Sequence, residues 1–155
     1  MTLAFTGHRP DKLGGYKIPN CQFSLVVELI HDVLVEMKPS SVISGMALGV
    51  DLWAPEIAMD LGIYTVAAIP FEGQESNWPV ESQERYRALL NAVSDVKVVS
   101  PGGYAPWKMQ YRNEWMVDHS NFVVAVWDGT PGGTANCMKY IMDKKVPFRN
   151  LYLEM

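Results

Sequence analysis

A surplus of positive charge is the first thing this chain lacks. Its 13 lysines and arginines stand against 17 aspartates and glutamates, a formal net charge of −4. Neutralising a phosphate backbone takes clustered basic side chains, so this balance argues against a nucleic-acid partner. A small anion is still allowed, because one arginine and one helix end suffice to hold it. Cysteine is scarce as well. Cys21 and Cys137 have neither metal-motif spacing nor a secretory context, so both read as reduced thiols of a cytoplasmic protein. His8, His31 and His119 lie too far apart in the chain to pair as ligands, and no metal or cofactor is expected from them. No apolar run approaches the roughly 20 residues of a membrane span. Met1-Thr2-Leu3-Ala4-Phe5-Thr6 has no basic stretch and no long apolar core, so no signal peptide is read there. Repeats, low-complexity tracts and linkers are missing too, which makes residues 1–155 a single domain.

What is present is an alternation. Hydrophobic residues at 48% and charged residues at 19% are the balance of a compact soluble domain. Apolar runs at Thr2–Thr6, Ser40–Ser44, Ile63–Phe71, Val96–Val99, Asn121–Trp127 and Val146–Leu153 read as six strands, the last at an edge. Between them lie five helical patterns. The clearest is Cys21–Met37, with Leu25, Val26, Leu29, Ile30, Val33, Leu34 and Met37 as its apolar stripe and Pro39 as its stop. The others run through Trp53 and Leu61, from Pro79 past Tyr86 and Leu90, over Trp107–His119 and over Ala135–Lys144. Strand–helix alternation with continuously apolar strands predicts a three-layer α/β, Rossmann-like fold. Its sheet is mostly parallel, with helices on both faces.

In such sheets ligands sit beyond the carboxyl ends of the strands, so the loops after strands carry the functional reading. Trp127-Asp128-Gly129-Thr130-Pro131-Gly132-Gly133-Thr134 joins a strand to a helix. Its open N–H groups and the helix dipole make a seat for a phosphate. Gly132 and Gly133 allow close approach of an anion, and Thr134 offers a hydroxyl to it or to the helix end. Ser44-Gly45-Met46-Ala47-Leu48-Gly49-Val50-Asp51 is a second junction of this kind, where Asp51 either caps the helix or holds a ligand hydroxyl. Its glycines lack the G-x-G-x-x-G spacing, so a dinucleotide cofactor is not expected. His8 and Arg9 follow the first strand directly, a poor place for core packing and a good one for a ligand.

Thr6-Gly7-His8-Arg9-Pro10, the 44–51 loop, Ile69-Pro70-Phe71 with Gln74 and Trp78, Arg112-Asn113 and Gly132-Gly133-Thr134 occur in this order. Together they resemble the YspA/YpsA-like branch of the SLOG superfamily, over Thr2 to about Lys144. That superfamily groups Smf/DprA DNA-uptake proteins with Lonely Guy phosphoribohydrolases on a Rossmann-like fold. The resemblance implies a pocket for a nucleotide or nucleotide-derived ligand, formed by Gly7, His8, Arg9, Ser44, Gly45, Met46, Gly49, Asp51, Pro70, Phe71, Gln74, Arg112, Asn113, Asp128, Gly129, Gly132, Gly133 and Thr134. Phe71, Tyr104 or Trp127 would stack on a base. Arg112 matches an arginine that acts on nucleoside monophosphates in the Lonely Guy enzymes. Cys137, however, stands where their catalytic glutamate is expected, and a thiol cannot stabilise a ribosyl cation as a carboxylate does. The resemblance therefore implies binding or sensing first. Base-releasing hydrolysis comes second, with Glu72, Glu75, Asp51 or Asp128 as the replacement carboxylate. Single-stranded DNA binding of the Smf/DprA type comes third. Homo-oligomerisation is left open.

Overall fold

A computed structural model describes all 155 residues. The strands are β1 (Thr2–Gly7), β2 (Ser41–Ser44), β3 (Tyr64–Ile69), β4 (Asp95–Val98), β5 (Phe122–Val126) and β6 (Phe148–Asn150). They alternate with α1 (Cys21–Met37), α2 (Val50–Asp60), α3 (Val80–Ala92), α4 (Trp107–Asp118) and α5 (Gly133–Asp143). All five pairings are parallel, and the strand order is β4-β3-β2-β1-β5-β6. The expected "mostly parallel" sheet is thus wholly parallel.

Side chains on a strand point alternately to its two faces, and the core divides accordingly. Leu3 and Phe5 of β1 pack with Val26, Ile30, Val33 and Leu34 of α1, with Leu52, Trp53 and Ala58 of α2 and with Tyr86 of α3. Ala4 of the same strand faces the other way, toward Met116 and Val117 of α4 and Cys137, Met138 and Ile141 of α5. Three helices cover one face and two the other, the three layers expected. This two-sided burial is why β1 reads as an unbroken apolar run. At the sheet margin, β4 carries Asp95 and Lys97 in exposed positions, a common guard against edge-to-edge pairing.

Helix ends follow local chemistry. Asn20 caps α1, its Oδ1 accepting the Phe23 N–H at 2.9 Å. Lys38, in the left-handed conformation, closes it ahead of Pro39. Leu25, expected on the buried stripe, is exposed at its margin. At the carboxyl end the apolar run overstates the strand. Only Phe148–Asn150 pairs with β5, and Leu151–Glu154 coils into a 3-10 turn. The Asn150 side chain accepts the Tyr152 N–H and so starts that turn.

Strand order runs outward from β1 to β4 on one side and through β5 to β6 on the other. The switch point is therefore the gap between β1 and β5, where a parallel sheet opens a crevice at its carboxyl edge.

Candidate functional site

A cavity of about 410 Å³ lies at that point. Its walls come from four places: the segment after β1, the loop before α2, one flank of α4, and the turn leading into α5. Of the residues expected from sequence, Gly7, His8, Arg9, Asp51, Arg112, Asn113, Gly132, Gly133 and Thr134 line it.

The α5 end is open. Gly132 occupies the capping position without a side-chain cap, and the first helical bond is Asn136 N–H to Gly132 O at 3.0 Å. The N–H groups of Gly133, Thr134 and Ala135 therefore have no acceptor within the chain, and they carry the positive end of the helix dipole. Thr134 lies in the first turn and does not cap it.

The wall after β1 is pinned from both sides. His8 is buried, and its backbone N–H donates to Val126 O on β5 at 3.1 Å. Its Nε2 lies 2.7 Å from Asp128 Oδ1 and 2.9 Å from the Asp128 backbone N. A protonated Nε2 donates to the carboxylate and an unprotonated one accepts the N–H, so the ring has a partner in either state. Asp128 also accepts from the N–H and hydroxyl of Thr130, at 2.9 and 2.5 Å. These two bonds, and then the one from His8, hold its carboxyl well below the ordinary carboxylate range. Lys12 Nζ donates to Thr130 Oγ1 at 2.5 Å, which brings a cation beside the open end of α5.

Arg112 is only 3% exposed. Its Nε donates to Asn113 Oδ1 at 2.9 Å, and its Nη1 to Ala68 O at 3.2 Å and to Gly45 O. Burial lowers its pKa from the ordinary guanidinium value, while Asp51 nearby favours the charge. Position 45 has to be glycine for this packing, since a Cβ there would stand 2.5 Å from the Arg112 Cζ.

Asp51 is the counterweight. It sits in the first turn of α2 but caps nothing; Gly49 holds the capping position. Burial pushes its carboxyl up to about 6, with Arg112, the Ala47 N–H and Arg9 opposing in that order. Oδ1 is buried and without a partner in the chain. An unpaired buried oxygen is costly, and proteins keep few of them outside functional sites.

The other expected residues stand behind the cavity wall. Pro55 lies inside α2 and has no N–H to give the Asp51 carbonyl four residues earlier. Ser44 Oγ supplies that missing bond and accepts the Met46 N–H at 3.1 Å. Met46 is fully buried, with φ 60°. Gly49 lets its backbone pass against His8 and Arg9. Gln74 Nε2 donates to Gly45 O at 3.2 Å and to Tyr86 Oη at 3.3 Å, tying the loop after β3 to the loop after β2. Pro70 O accepts the Ser100 N–H at 3.1 Å. Phe71 is buried edge-on against Tyr104, and Gly129 forms the exposed tip beside Asp128.

Sequence reasoning did not single out Thr6, Asp11, Lys12, Ala47, Met109, Thr130, Pro131 and Ala135, which also line the cavity. Met109 was within reach of it, since it lies three residues before Arg112 on the same flank of α4. Although the chain is acidic overall, Arg9, Lys12 and Arg112 face this cavity against Asp11 and Asp51.

Cys137 is buried at the foot of α5, and burial pushes its thiol up to about 11 despite a hydrogen bond from Thr6. It is neutral at physiological pH and cannot act as the carboxylate that a glycosidase would need there. A disulfide-exchange reagent is expected to titrate one thiol quickly in the native protein, the exposed Cys21. The second should react only on unfolding. Two fast equivalents would mean that α5 is not packed in this way.

An all-parallel sheet with an open helix end and buried charges at its switch point defines the class: a Rossmann-like α/β domain with an anion-compatible edge cavity. The chain belongs to the YspA SLOG family, whose model matches residues 3–153. The SPbeta prophage-derived protein YoqJ of Bacillus subtilis is 32% identical over 131 residues, which cover 74% of this chain and 77% of that protein. The UPF0398 protein YpsA of the same organism is 28% identical over 153 residues, covering 92% and 84%. Among solved structures, DNA processing protein A of Streptococcus pneumoniae superposes with a TM-score of 0.66 at 18% identity, over 95% of this chain. The same-named protein of Helicobacter pylori, described by its single-stranded DNA binding mode, gives 0.67 at 17% over 96%. This chain spans 48% of the first of those two chains and 63% of the second. At such identities the likeness is one of fold. It does weaken the expectation that net charge alone excludes a nucleic acid, since the fold is shared with a protein described as binding one. No helix is long and apolar enough to cross a membrane.

Proposed function

We propose that the domain binds a small nucleotide or nucleotide-derived ligand in the cavity between β1 and β5. The observation that carries this reading is the free N–H triplet at the start of α5, with Lys12, Arg9 and Arg112 lining the same cavity. A phosphate seated on these N–H groups satisfies orphan donors and meets the helix dipole together with flexible and fixed cations. Asp51 and Asn113 then face the sugar.

Calorimetry with nucleoside monophosphates and ADP-ribose tests it. Lys12 is exposed and remote from the core, so Lys12→Ala should fold normally and bind about tenfold more weakly, a loss of about 1.4 kcal/mol. Absence of binding by any of these compounds to the wild type would remove the reading. A short single-stranded oligonucleotide belongs in the same panel, because salt-dependent binding of it alone would point to nucleic acid instead.

A second reading, hydrolysis of the glycosidic bond, is favoured by Asp51. Glu72 is exposed, Glu75 is buried without lining the cavity and Asp128 is engaged by Thr130 and His8, whereas Asp51 lies in the cavity wall. A carboxyl lifted toward neutrality suits proton transfer. Release of free base from a nucleoside monophosphate, abolished in Asp51→Asn, would establish it.

A further inference from the structure

No phenylalanine, tyrosine or tryptophan lines the cavity. Its apolar lining is Ala47, Met109 and Ala135, with the rest polar, charged, glycine or proline. The aromatic residues suited to stacking are engaged elsewhere. Phe71 is 7% exposed and packed edge-on against Tyr104, with ring centroids 5.8 Å apart. Trp127 is held by its indole N–H, which donates to Thr130 O at 2.8 Å. Tyr104 is 72% exposed and outside the cavity. Stacking on a flat aromatic face is a common way to hold a nucleobase, and His8, the one ring in this lining, is 5% exposed and tied to Asp128.

What the lining provides suits a sugar phosphate. The phosphate has the three α5 N–H groups, Lys12 and Arg9. A vicinal diol needs an acceptor and a donor. Asp51 Oδ1 is a buried acceptor without a partner, on a residue 7% exposed. Asn113 gives its Oδ1 to Arg112 Nε, while its amide N–H groups make no hydrogen bond in the chain. Both residues line the cavity with the α5 end.

Resting on the nucleotide reading above, we infer that the cavity recognises a 5-phosphorylated ribose and leaves the attached base outside. The ligand class is then any compound with a free ribose 5-phosphate end, whatever it carries at C1′. Affinity is set by the phosphate and the diol.

The test is calorimetry on the full chain with ribose 5-phosphate, the four ribonucleoside monophosphates, 2′-deoxy-AMP, adenosine and inorganic phosphate. The four monophosphates should agree within about threefold, and ribose 5-phosphate should bind within about tenfold of them. Deoxy-AMP should bind about tenfold more weakly than AMP, and adenosine should give no heat above dilution. A spread of about thirtyfold or more among the four bases would overturn the inference and leave the nucleotide reading intact. So would AMP binding without ribose 5-phosphate binding, or tight binding of adenosine. Inorganic phosphate binding as tightly as ribose 5-phosphate would reduce the site to an anion seat. Silence from every phosphorylated compound would overturn both readings.

Discussion

Gly49→Ala is expected to destabilise the domain by about 3 kcal/mol or more and to abolish ligand binding in what remains folded. Gly49 has φ 90° and ψ −132°, a region that a residue with a Cβ avoids. An added Cβ would also stand 2.4 Å from the His8 carbonyl oxygen and 2.9 Å from the Arg9 Cα. These are backbone atoms, so no rotamer change relieves the clash. The strand-end segment carrying His8 and Arg9 would have to move off the α2 terminus, opening one wall of the cavity. Gly62→Ala is the control. Gly62 also has positive φ, at 75°, but an added Cβ there meets nothing within 4 Å. It should cost only about 1 kcal/mol of backbone strain. Urea unfolding of the two variants measures the difference, and equal losses would show that close approach is not what position 49 requires.

Asp51→Asn should do the reverse. Burial lifts this carboxyl from 3.8 to about 6, so carrying its charge in the folded state at neutral pH costs about 3 kcal/mol. Asparagine removes the charge and keeps an acceptor for the Ala47 N–H, though its amide N–H groups inherit the unpartnered position. The net gain expected at pH 7.5 is about 2 kcal/mol. The sign fixes the pH dependence. Below about pH 4 the carboxyl is protonated in folded and unfolded chains alike, and the variant gains nothing. Between about pH 4 and 6 the unfolded chain gives up the proton first, and wild-type stability falls relative to the variant. Above that the difference is constant. Melting temperatures of the pair across this range give the answer, and a gain that persists at pH 4 would contradict it. On the proposed reading the same variant should bind ribonucleotides more weakly, because it loses the carboxylate oxygen assigned to the sugar. Stability held down at one buried residue, for a group that binding would satisfy, is the usual mark of a functional site.

The six strands, the five helices and their order were legible because burial on two faces writes continuous apolar runs and burial on one writes a helical stripe. Their carboxyl-end loops were legible as site loops for the same topological reason. The roles within those loops were not. Ser44 counts among the residues expected to form the pocket, yet it answers a carbonyl that Pro55, eleven residues on, leaves unbonded. Gly45 looks like a glycine for anion approach, and it makes room for Arg112, which arrives from a distant helix. Gln74 ties two loops together from behind. In each case a tertiary partner decides the role, and no local pattern contains it. Lys12 was missed for the opposite reason: it follows no period, and only the fold sets it beside Thr130.

The bond between His8 and Asp128 joins residues 120 positions apart. One wall of the cavity is therefore synthesised well before the facing wall. A nascent chain cannot complete the cavity until β5 and the start of α5 have left the ribosome and packed against β1. A ligand bound there would consequently protect the whole domain from proteolysis rather than any one part.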